Sequence, residues 1–494
     1  MYLGIDLGTS GVKVILMDDQ QTIITSSTAR LTISRPQSLW SEQNPNDWWG
    51  ATQNAIRKIK YTHANELKKV RALAFSGQMH GATLLDKNDN PLRPAILWND
   101  GRAMAQCHTL LQRAPRALEI TGNLIMPGFT APKVLWVQEN EPALFQKIKK
   151  ILLPKDYLRL LISGDYATDF SDASGTSWLD VGKRQWSNAL LTATGLTPEF
   201  MPALYEGSAI TGAILPAVAD VFGIPKNAAV VAGGGDNAAS AISVNVTEPG
   251  KAFLSLGTSG VYFVASECFK PNPLSAVHTY CHCLPNLWHQ MTVHLSAASC
   301  LGWLRRLLNL DIDRLNALIR QAKRDETNPN IPIFLPYLSG ERTPHNDPYA
   351  RGVFFGMTYE TKIHHLVQAV LEGVAFAFAE GHAAMHATNV KIEDISVIGG
   401  GARNIYWGEI LSAALNKPLI YRESANVGGA YGAARSAWLA INGGDPRTAL
   451  RPLAIKKTIE PDQNRVERYV EKQTLFTELY QQLKKTFANA YKQK

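Results

Sequence analysis

Apolar and polar residues alternate along the chain in two kinds of pattern, short apolar runs and longer helical periods. The runs VRALAFSG (residues 70–77) and RPAILWND (93–100) predict strands, and the segments 303–310 and 364–378 predict helices. Asn44-Pro45 predicts the N-cap and first position of a helix that carries Trp48 and Trp49. Strands that alternate with helices predict an α/β fold.

The motif LGTSGV occurs twice, at residues 7–12 and at residues 256–261, and each copy lies between two apolar runs. A glycine-containing turn between such runs predicts a β-hairpin. A shared turn without a ligand is one interpretation, but the repeat favours a duplicated domain that opens on a hairpin. We therefore predict an N-terminal domain over 1–246 and a C-terminal domain over 247–494, with the boundary in the turn-rich segment 246–251.

Length and charge fit this division. A chain of 494 residues exceeds what one core usually supports. Much of the net charge of +8 lies in residues 451–494, whose 10 basic and 5 acidic residues give +5 and predict a docked basic helix from about residue 465. The chain has no basic patch that is interleaved with aromatic residues, so we expect no nucleic-acid partner.

The start of the chain and its cysteines bear on location. The chain begins MYLGIDLG, without a basic leader, and contains no apolar stretch as long as a membrane span. Five cysteines in so long a chain are typical of a reduced compartment. We expect a cytoplasmic protein without a membrane partner, and the sequence leaves a homodimer open.

The first hairpin carries residues suited to phosphate chemistry. In a strand, Tyr2, Gly4 and Asp6 face one way, so a carboxylate lies beside a glycine turn and could hold a metal-bound water. Successive amides of the turn that contains Thr9 can bind phosphate oxygens, and Lys13 could add positive charge. The second copy has Ser255 and Tyr262 in place of Asp6 and Lys13. Only the first copy therefore keeps a charged pair.

Two glycine triplets, at residues 233–235 and 399–401, each follow an apolar run and predict a strand, a tight turn and a helix start. Amides at such a helix start favour anions, although the glycines could serve turn geometry alone. Asp236, directly after the first triplet, is either an N-cap or a base that accepts the proton of an attacking hydroxyl. The helix dipole predicts that Asp236 is ionised and a weak base.

Other motifs are missing or weak. The chain has no GxxxxGK[ST], no GxGxxG and no protein-kinase signature. His278, Cys281, His282 and Cys283 suggest zinc, but one residue separates the cysteines and no second pair follows. We expect this segment to be a strand with thiols packed as small apolar groups.

The motifs GIDLGTSGVK, GGGDNAA and GGGARN, with segments 128–140 and 352–372, resemble the FGGY carbohydrate kinases of the actin-like ATPase superfamily. The resemblance extends from Met1 to about residue 440. It implies an α/β fold of two ribonuclease-H-like domains that flank a central cleft. It also implies ATP as cosubstrate, Mg²⁺, and a small-molecule sugar as the phosphoryl acceptor.

Segments 76–81, 98–102, 171–176 and 338–345 are similar to family members that phosphorylate D-xylulose at O5. A kinase for ribulose, ribitol or glycerol is the alternative enzyme, and an actin-like ATP-driven switch module is the non-enzyme alternative. The resemblance implies Asp236 as catalytic base and Asp6 as the residue that organises the metal. It places Met79, His80 and Asn237 at the sugar, and the nucleotide against Gly257, Thr258, Gly400, Gly401 and Asn404. One departure, Gly428-Gly429-Ala430-Tyr431-Gly432 where many relatives have Ala-Leu-Gly, leaves nucleotide preference open.

Overall fold

A computed structural model describes residues 1–423 and 428–492. Its strands are β1 Tyr2–Gly8, β2 Gly11–Met17, β3 Ile23–Arg30, β4 Glu42–Gln43, β5 Ala72–Gly77, β6 Thr83–Leu85, β7 Ala95–Ile96, β8 Lys150–Leu152, β9 Ala167–Asp169, β10 Leu179–Asp180, β11 Gln185–Trp186, β12 Ala203–Tyr205, β13 Ile210–Ala213, β14 Ala229–Val231, β15 Gly234–Gly235, β16 Lys251–Leu256, β17 Gly260–Ser266, β18 His278–Cys281, β19 Trp288–His294, β20 Ile333–Leu335, β21 Val353–Phe355, β22 Asp394–Ile398, β23 Leu419–Arg422 and β24 Ile455–Ile459. Its α-helices are α1 Pro45–Leu67, α2 Met104–Arg113, α3 Ala117–Thr121, α4 Thr130–Asn140, α5 Pro142–Phe145, α6 Pro154–Ser163, α7 Phe170–Ala173, α8 Asn188–Ala193, α9 Pro216–Phe222, α10 Asp236–Ser243, α11 Ala298–Leu307, α12 Ile312–Arg324, α13 Ile363–His386, α14 Ile405–Leu415, α15 Gly428–Asn442, α16 Pro446–Ala449 and α17 Gln463–Lys492.

The two halves of the chain each form one large sheet with the same central arrangement. In the first, the order is β3-β2-β1-β5-β14, with antiparallel pairing among β1 to β3 and parallel pairing of β1 with β5 and of β5 with β14. In the second, β19-β17-β16-β22-β23 repeats that order and those directions. The predicted α/β fold with a duplicated, hairpin-opened unit is confirmed.

Several predicted elements appear where the pattern placed them. Asn44 caps α1 by accepting from the Asn46 N–H, with Pro45 as the first helical residue. The predicted strand over 93–100 is mostly wrong: only Ala95–Ile96 pairs, as β7 against β4. The basic C-terminal helix α17 docks through Tyr469, Phe476 and Tyr480, which are buried in the second core. No helix of the described residues is long and apolar enough to cross a membrane.

The two halves exchange helices across their interface. Helix α10 follows the first sheet, yet Ala238 and Ile242 pack in one apolar cluster with Phe253 and Phe263 of the second sheet. Conversely, α15 lies between β23 and β24 of the second sheet along the chain, and its alanines pack against Tyr2, Ile15 and Ala72 of the first sheet. Each sheet thus supplies the helix that covers part of the other one.

The crossing of α10 and α15 requires glycine. A Cβ built on Gly432 would lie 1.7 Å from the Ala239 carbonyl oxygen, and one on Gly4 would lie 1.8 Å from the Ala430 carbonyl oxygen. Both obstacles are backbone atoms of packed helices, so neither can be relieved by a rotamer change. Gly432 was noted in the sequence as part of the segment that departs from relatives, and the structure places it at this crossing.

Gly432→Ala is therefore expected to destabilise the fold by about 1–3 kcal/mol or more, because the two helices must separate. Gly50→Ala is the matched control: it also lies within a helix, but its Cβ would meet nothing within 4 Å. That control should be neutral or stabilising by about 0.5–1 kcal/mol. Urea midpoints of both variants measure the difference, and equal midpoints would contradict the close-crossing argument.

Candidate active site

Asp6 lies on strand β1, on the face that α15 covers. As predicted, Tyr2, Gly4 and Asp6 share one face, while Leu3, Ile5 and Leu7 enter the first core on the other. Asp6 pairs with Lys13 on β2 and with Ser76 on β5. Its Oδ1 atom is buried, and none of the described residues forms a hydrogen bond with it. Burial raises the pKa of Asp6 above its ordinary value, while Ser76 and Lys13 act in the opposite direction.

The segment over residues 428–432, which differs in sequence from many relatives, contacts Asp6. A Cβ built on Gly429 would lie 2.3 Å from Ser76 Oγ and 3.0 Å from Asp6 Oδ1. Any side chain there would fill the space beside the unpartnered carboxylate oxygen. Within this segment, Gly429 keeps the space beside Asp6 open and Gly432 allows the close packing of α10 and α15.

Asp236 is the first residue of α10, and Gly235 precedes it as the N-cap, so the N-cap interpretation of Asp236 is wrong. Its Oδ1 accepts hydrogen bonds from the backbone N–H and the side-chain Nδ2 of Asn237, at 2.7 and 2.9 Å. Burial, helped by the negative charge of Asp6, raises the pKa of Asp236 to about 7, although the Asn237 hydrogen bonds oppose the shift. The expectation of a strongly ionised, weak base is therefore also wrong, because desolvation and a neighbouring carboxylate outweigh the helix dipole.

A buried ion cluster supports the turn before Asp236. Lys155 Nζ lies 2.6 Å from Asp156, 2.9 Å from Asp169 and 3.3 Å from Asp172, and all four side chains are fully buried. Burial alone would lower the pKa of Lys155, but the three carboxylates raise it above its ordinary value. Asp169 also accepts from the hydroxyl of Ser171, whose Oγ accepts the Gly235 N–H at 3.0 Å. A continuous polar chain thus joins Lys155 to the backbone of the residue before Asp236.

Met79 and His80 follow strand β5 and lie beside the same turn. A Cβ built on Gly235 would lie 2.9 Å from Met79 Sδ, so the glycine permits close contact. His80 Nδ1 lies 2.7 Å from the Gly175 carbonyl oxygen, and its ring stacks on Phe129 with centroids 4.6 Å apart. Burial lowers the pKa of His80 to about 3, so the imidazole is neutral. The structure brings together Met79, His80, Asp236 and Asn237.

Residues from the second half of the chain also lie beside Met79, His80 and Asp236, and together they form one wall of the site. The sequence did not indicate this contribution. The Tyr280 ring on β18 meets the His80 ring edge to face, at 6.4 Å between centroids. Arg342, in the predicted segment 338–345, lies within electrostatic range of His80, His278 and Tyr280. Asp236 and Asp172 are likewise within range of Tyr280. The only sequence signal for Arg342 was the similarity of segment 338–345 to family members that phosphorylate D-xylulose. That similarity did not show that Arg342 would lie near His80.

A cavity of about 640 Å³ lies in the second half, between α11, α12 and the start of α14. Gly400, Gly401 and Asn404 line it, as do Arg305 and Arg320. Asn404 is the N-cap of α14 and accepts from the Trp407 N–H. A Cβ built on Gly401 would lie 2.6 Å from Leu256 Cγ, so this triplet packs closely against the second hairpin. Gly400, Gly401 and Asn404, three of the predicted nucleotide residues, therefore share one open site, whereas Gly257, Thr258, Thr9 and Lys13 are not among its lining residues.

The two LGTSGV hairpins differ in register despite their identical sequence. In the first, Leu7 pairs with Val12, whereas in the second Leu256 pairs with Gly260 and leaves a three-residue turn over 257–259. The carbonyls of Gly257 and Thr258 accept from the Ala298 and Ala297 amides at the start of α11, at 2.8 and 3.0 Å. Tertiary contacts with α11 accompany the altered turn.

In the first hairpin, Thr9 belongs to a polar network. Its hydroxyl donates to Gln78 Oε1 at 2.9 Å and accepts from the Trp98 indole N–H at 3.0 Å. Its carbonyl accepts from Gln43 Nε2 at 2.7 Å. Lys13 is half-buried and lies opposite Asp6 across the hairpin. The Thr9 hydroxyl and carbonyl are thus engaged within the protein and fix the turn.

The described residues contain one group of three potential metal ligands, Asp325, His364 and His365. Both histidine Nε2 atoms lie within 3.0 Å of Asp325 Oδ2. His365 Nδ1 accepts the Lys362 N–H, which fixes the proton on Nε2 and makes that nitrogen a donor. This group is therefore a hydrogen-bonded helix junction. Cys281 and Cys283 are packed in apolar clusters, as the strand interpretation predicted.

Two family models match the chain: "FGGY family of carbohydrate kinases, N-terminal domain" over residues 1–243, and its "C-terminal domain" over residues 252–441. The chain is 52% identical to the xylulose kinase of Escherichia coli (strain K12), over 98% of this chain and 99% of that protein. It is 50% identical to the xylulose kinase of Klebsiella pneumoniae, with the same coverage. The crystal structure of a xyloylose kinase from Brucella ovis matches with a TM-score of 0.94 and 45% identity, over 98% of this chain and 99% of that one.

Two duplicated sheets with exchanged helices, a glycine-lined cavity and the half-buried carboxylates of Asp6 and Asp236 define a two-domain α/β kinase. The chain belongs to the FGGY family of carbohydrate kinases, with ATP as cosubstrate. The fold predicted from the sequence, two sheet-containing domains of the actin-like ATPase type, is confirmed.

Proposed function

We propose that the protein transfers the γ-phosphoryl group of ATP to O5 of D-xylulose, giving D-xylulose 5-phosphate and ADP. The observation that carries the proposal is the position of Asp236, whose pKa is raised to about 7, directly after Gly235, which packs against Met79, the neighbour of His80 in the chain. The high identity to two xylulose kinases over nearly the whole chain supports the choice of sugar.

Asp236 acts as the general base. The O5 hydroxyl gives its proton to the Asp236 carboxylate as a bond forms between O5 and the γ-phosphorus, and the bond from that phosphorus to the bridging oxygen of ADP breaks. A base is most effective when its pKa lies near the working pH, because it is then both available and strong enough. Since phosphoryl transfer demands mainly positioning and charge stabilisation, the rigid turn before Asp236 supports the reaction.

Asp6 is the residue that would hold Mg²⁺, directly or through a bound water. Its buried Oδ1, which no described residue hydrogen-bonds, and the space kept open by Gly429 fit a hard cation that takes oxygen ligands. Mg²⁺ bound there would neutralise charge on the ATP phosphates. Thr9, Lys13, Gly257 and Thr258 contact the phosphates in this proposal, and Gly400, Gly401 and Asn404 contact the adenosine.

His80 and Asn237 recognise the sugar together with Met79. The neutral His80 ring donates its Nδ1 proton to the Gly175 carbonyl, so Nε2 carries a lone pair that can accept from a sugar hydroxyl. Arg342 and Tyr280 approach the same wall from the second half, and we include them among the sugar-site residues.

A coupled ADP-release assay on D-xylulose, ribulose, ribitol, glycerol and gluconate tests the choice of sugar. We expect the highest kcat/KM with D-xylulose and slow nucleotide hydrolysis without any sugar. A higher kcat/KM with another acceptor would transfer the proposal to that sugar. Sugar-independent ATPase, with no acceptor effect, would favour a nucleotide-driven switch over a sugar kinase.

Other sequence predictions remain predictions. These are the domain boundary between residues 246 and 247, a cytoplasmic location and the absence of a nucleic-acid partner. Whether the protein forms a homodimer also stays open. We also expect the two halves to close about that boundary when both ligands bind, because the proposed sugar residues lie in the first half and the proposed adenosine residues in the second. Small-angle scattering on apo and doubly liganded protein would test this closure.

A further inference from the structure

His80 has a backbone conformation that non-glycine residues rarely adopt. Its φ is +68°, in the left-handed region, and the Gly81 N–H donates to the Met79 carbonyl at 2.9 Å across it. A three-residue turn closed in this way, with a positive φ at its centre, is the rare and strained form of the γ-turn. Strain of this kind persists only where surrounding contacts hold it, and such positions cluster at ligand sites.

Two side chains of helix α4 hold the centre of this turn. Thr130 Oγ1 and Lys133 Nζ both donate to the His80 carbonyl oxygen, each at 3.0 Å. Phe129, the residue before the helix, stacks on the His80 ring. One helix start therefore fixes the carbonyl and the imidazole of the same residue.

The burial and the hydrogen bonds of Lys133 suit it to hold the His80 carbonyl in place. Its side chain is fully buried, and its Nζ bonds to two backbone carbonyls, those of His80 and of Ile96 at 3.3 Å. It forms no salt bridge with a described carboxylate, and burial lowers its pKa well below the ordinary value. Both hydrogen-bond acceptors of its Nζ are backbone carbonyl oxygens, which cannot move as a side chain can. Lys133 is therefore a buried donor of fixed direction.

We propose that Lys133 and Thr130 are positioning residues for sugar recognition: they hold the His80 carbonyl and keep the strained turn in the form that presents the imidazole to the sugar. This inference rests on the proposed role of His80. It assigns the two α4 residues a role in sugar affinity that neither could have by direct contact, because both act through the backbone of His80.

Lys133→Met tests the inference with little risk to folding. The His80 carbonyl keeps the Thr130 hydroxyl as a donor, and the Ile96 carbonyl keeps the Ala82 N–H at 3.1 Å. We expect the KM for D-xylulose to rise about 10- to 100-fold, the scale on which misplacement of a binding group acts, while the KM for ATP changes by less than about threefold. Thr130→Val should shift the same parameter in the same direction. Thr52→Val, which removes a buried hydroxyl-to-carbonyl bond in α1, should leave both KM values unchanged.

A double-variant cycle separates positioning from general stability. In a His80→Ala background, Lys133→Met should add less than about a twofold effect on sugar KM, because the group it positions is gone. A full, additive effect in that background would overturn the inference, and so would equal rises in both KM values for Lys133→Met alone. If Lys133→Met has no effect while His80→Ala raises sugar KM, the inference fails and the sugar site stands. If His80→Ala leaves sugar KM unchanged, the proposed site and the inference both fail.

Discussion

Asp236→Asn is expected to lower kcat on D-xylulose by about 10²–10⁴-fold, because it removes the group that accepts the O5 proton. The change is nearly isosteric and leaves the Gly235 turn, the Ser171 contact and the start of α10 in place. ATP binding, measured by equilibrium dialysis, should therefore be unchanged. A kcat within about threefold of the parent enzyme would show that Asp236 is not the base.

The same residue should set the acid side of the pH profile. The pKa of Asp236 is raised to about 7, so the protonated, inactive form accumulates as the pH falls through that value. We expect kcat/KM to fall about tenfold for each pH unit below 7. In the metal-free protein, Asp6→Asn should lower the pKa of Asp236, because the negative charge of Asp6 is one cause of the raised pKa. If titration of Asp236 by nuclear magnetic resonance without Mg²⁺ gives the same pKa in Asp6→Asn and in the parent enzyme, that coupling is contradicted.

The sequence drew attention to Asp6 and Asp236 but did not predict their electrostatics. Asp236 stood out because it follows a glycine triplet, and the local argument from the helix dipole predicted an ionised group. The raised pKa depends on burial and on Asp6, which lies 230 positions away in the chain and comes near only through the fold. Charge coupling between distant residues leaves no periodic or motif signal.

The hairpin repeat shows a similar limit. Both copies were predicted as hairpins, and both are hairpins. The extra turn residue in the second copy accompanies hydrogen bonds from Ala297 and Ala298, at the start of a helix outside the motif. The wall formed by Tyr280 and Arg342 was missed for the same reason, since their position depends on how the two sheets meet. The strand prediction for RPAILWND was wrong over most of its length. Only Ala95–Ile96 pairs with another strand, and the Trp98 indole instead donates a hydrogen bond to Thr9 of the first hairpin.

Asymmetry between the two hairpins leads to the last expected result. Asp6 in the first copy has a buried oxygen, in space kept open by Gly429, with no hydrogen-bond partner in the described part of the chain, whereas Ser255 takes its place in the second copy. Asp6→Asn removes the charge that would hold Mg²⁺ or its bound water. We expect activity to fall about 10–100-fold and the half-saturating Mg²⁺ concentration to rise, as is typical when a residue that supports a metal is lost.

Ser255→Ala is the matched control, because it alters the corresponding residue of the duplicated hairpin without removing a charge. Its kcat and its half-saturating Mg²⁺ concentration should both stay close to those of the parent enzyme. Binding of Mn²⁺ in the presence of ADP, followed by electron paramagnetic resonance, gives a readout that does not depend on turnover and should weaken only in Asp6→Asn. Equal losses in the two variants, without any shift in metal dependence, would mean that both hairpins act only through their backbone and that the charged pair of the first copy has no special part in the reaction.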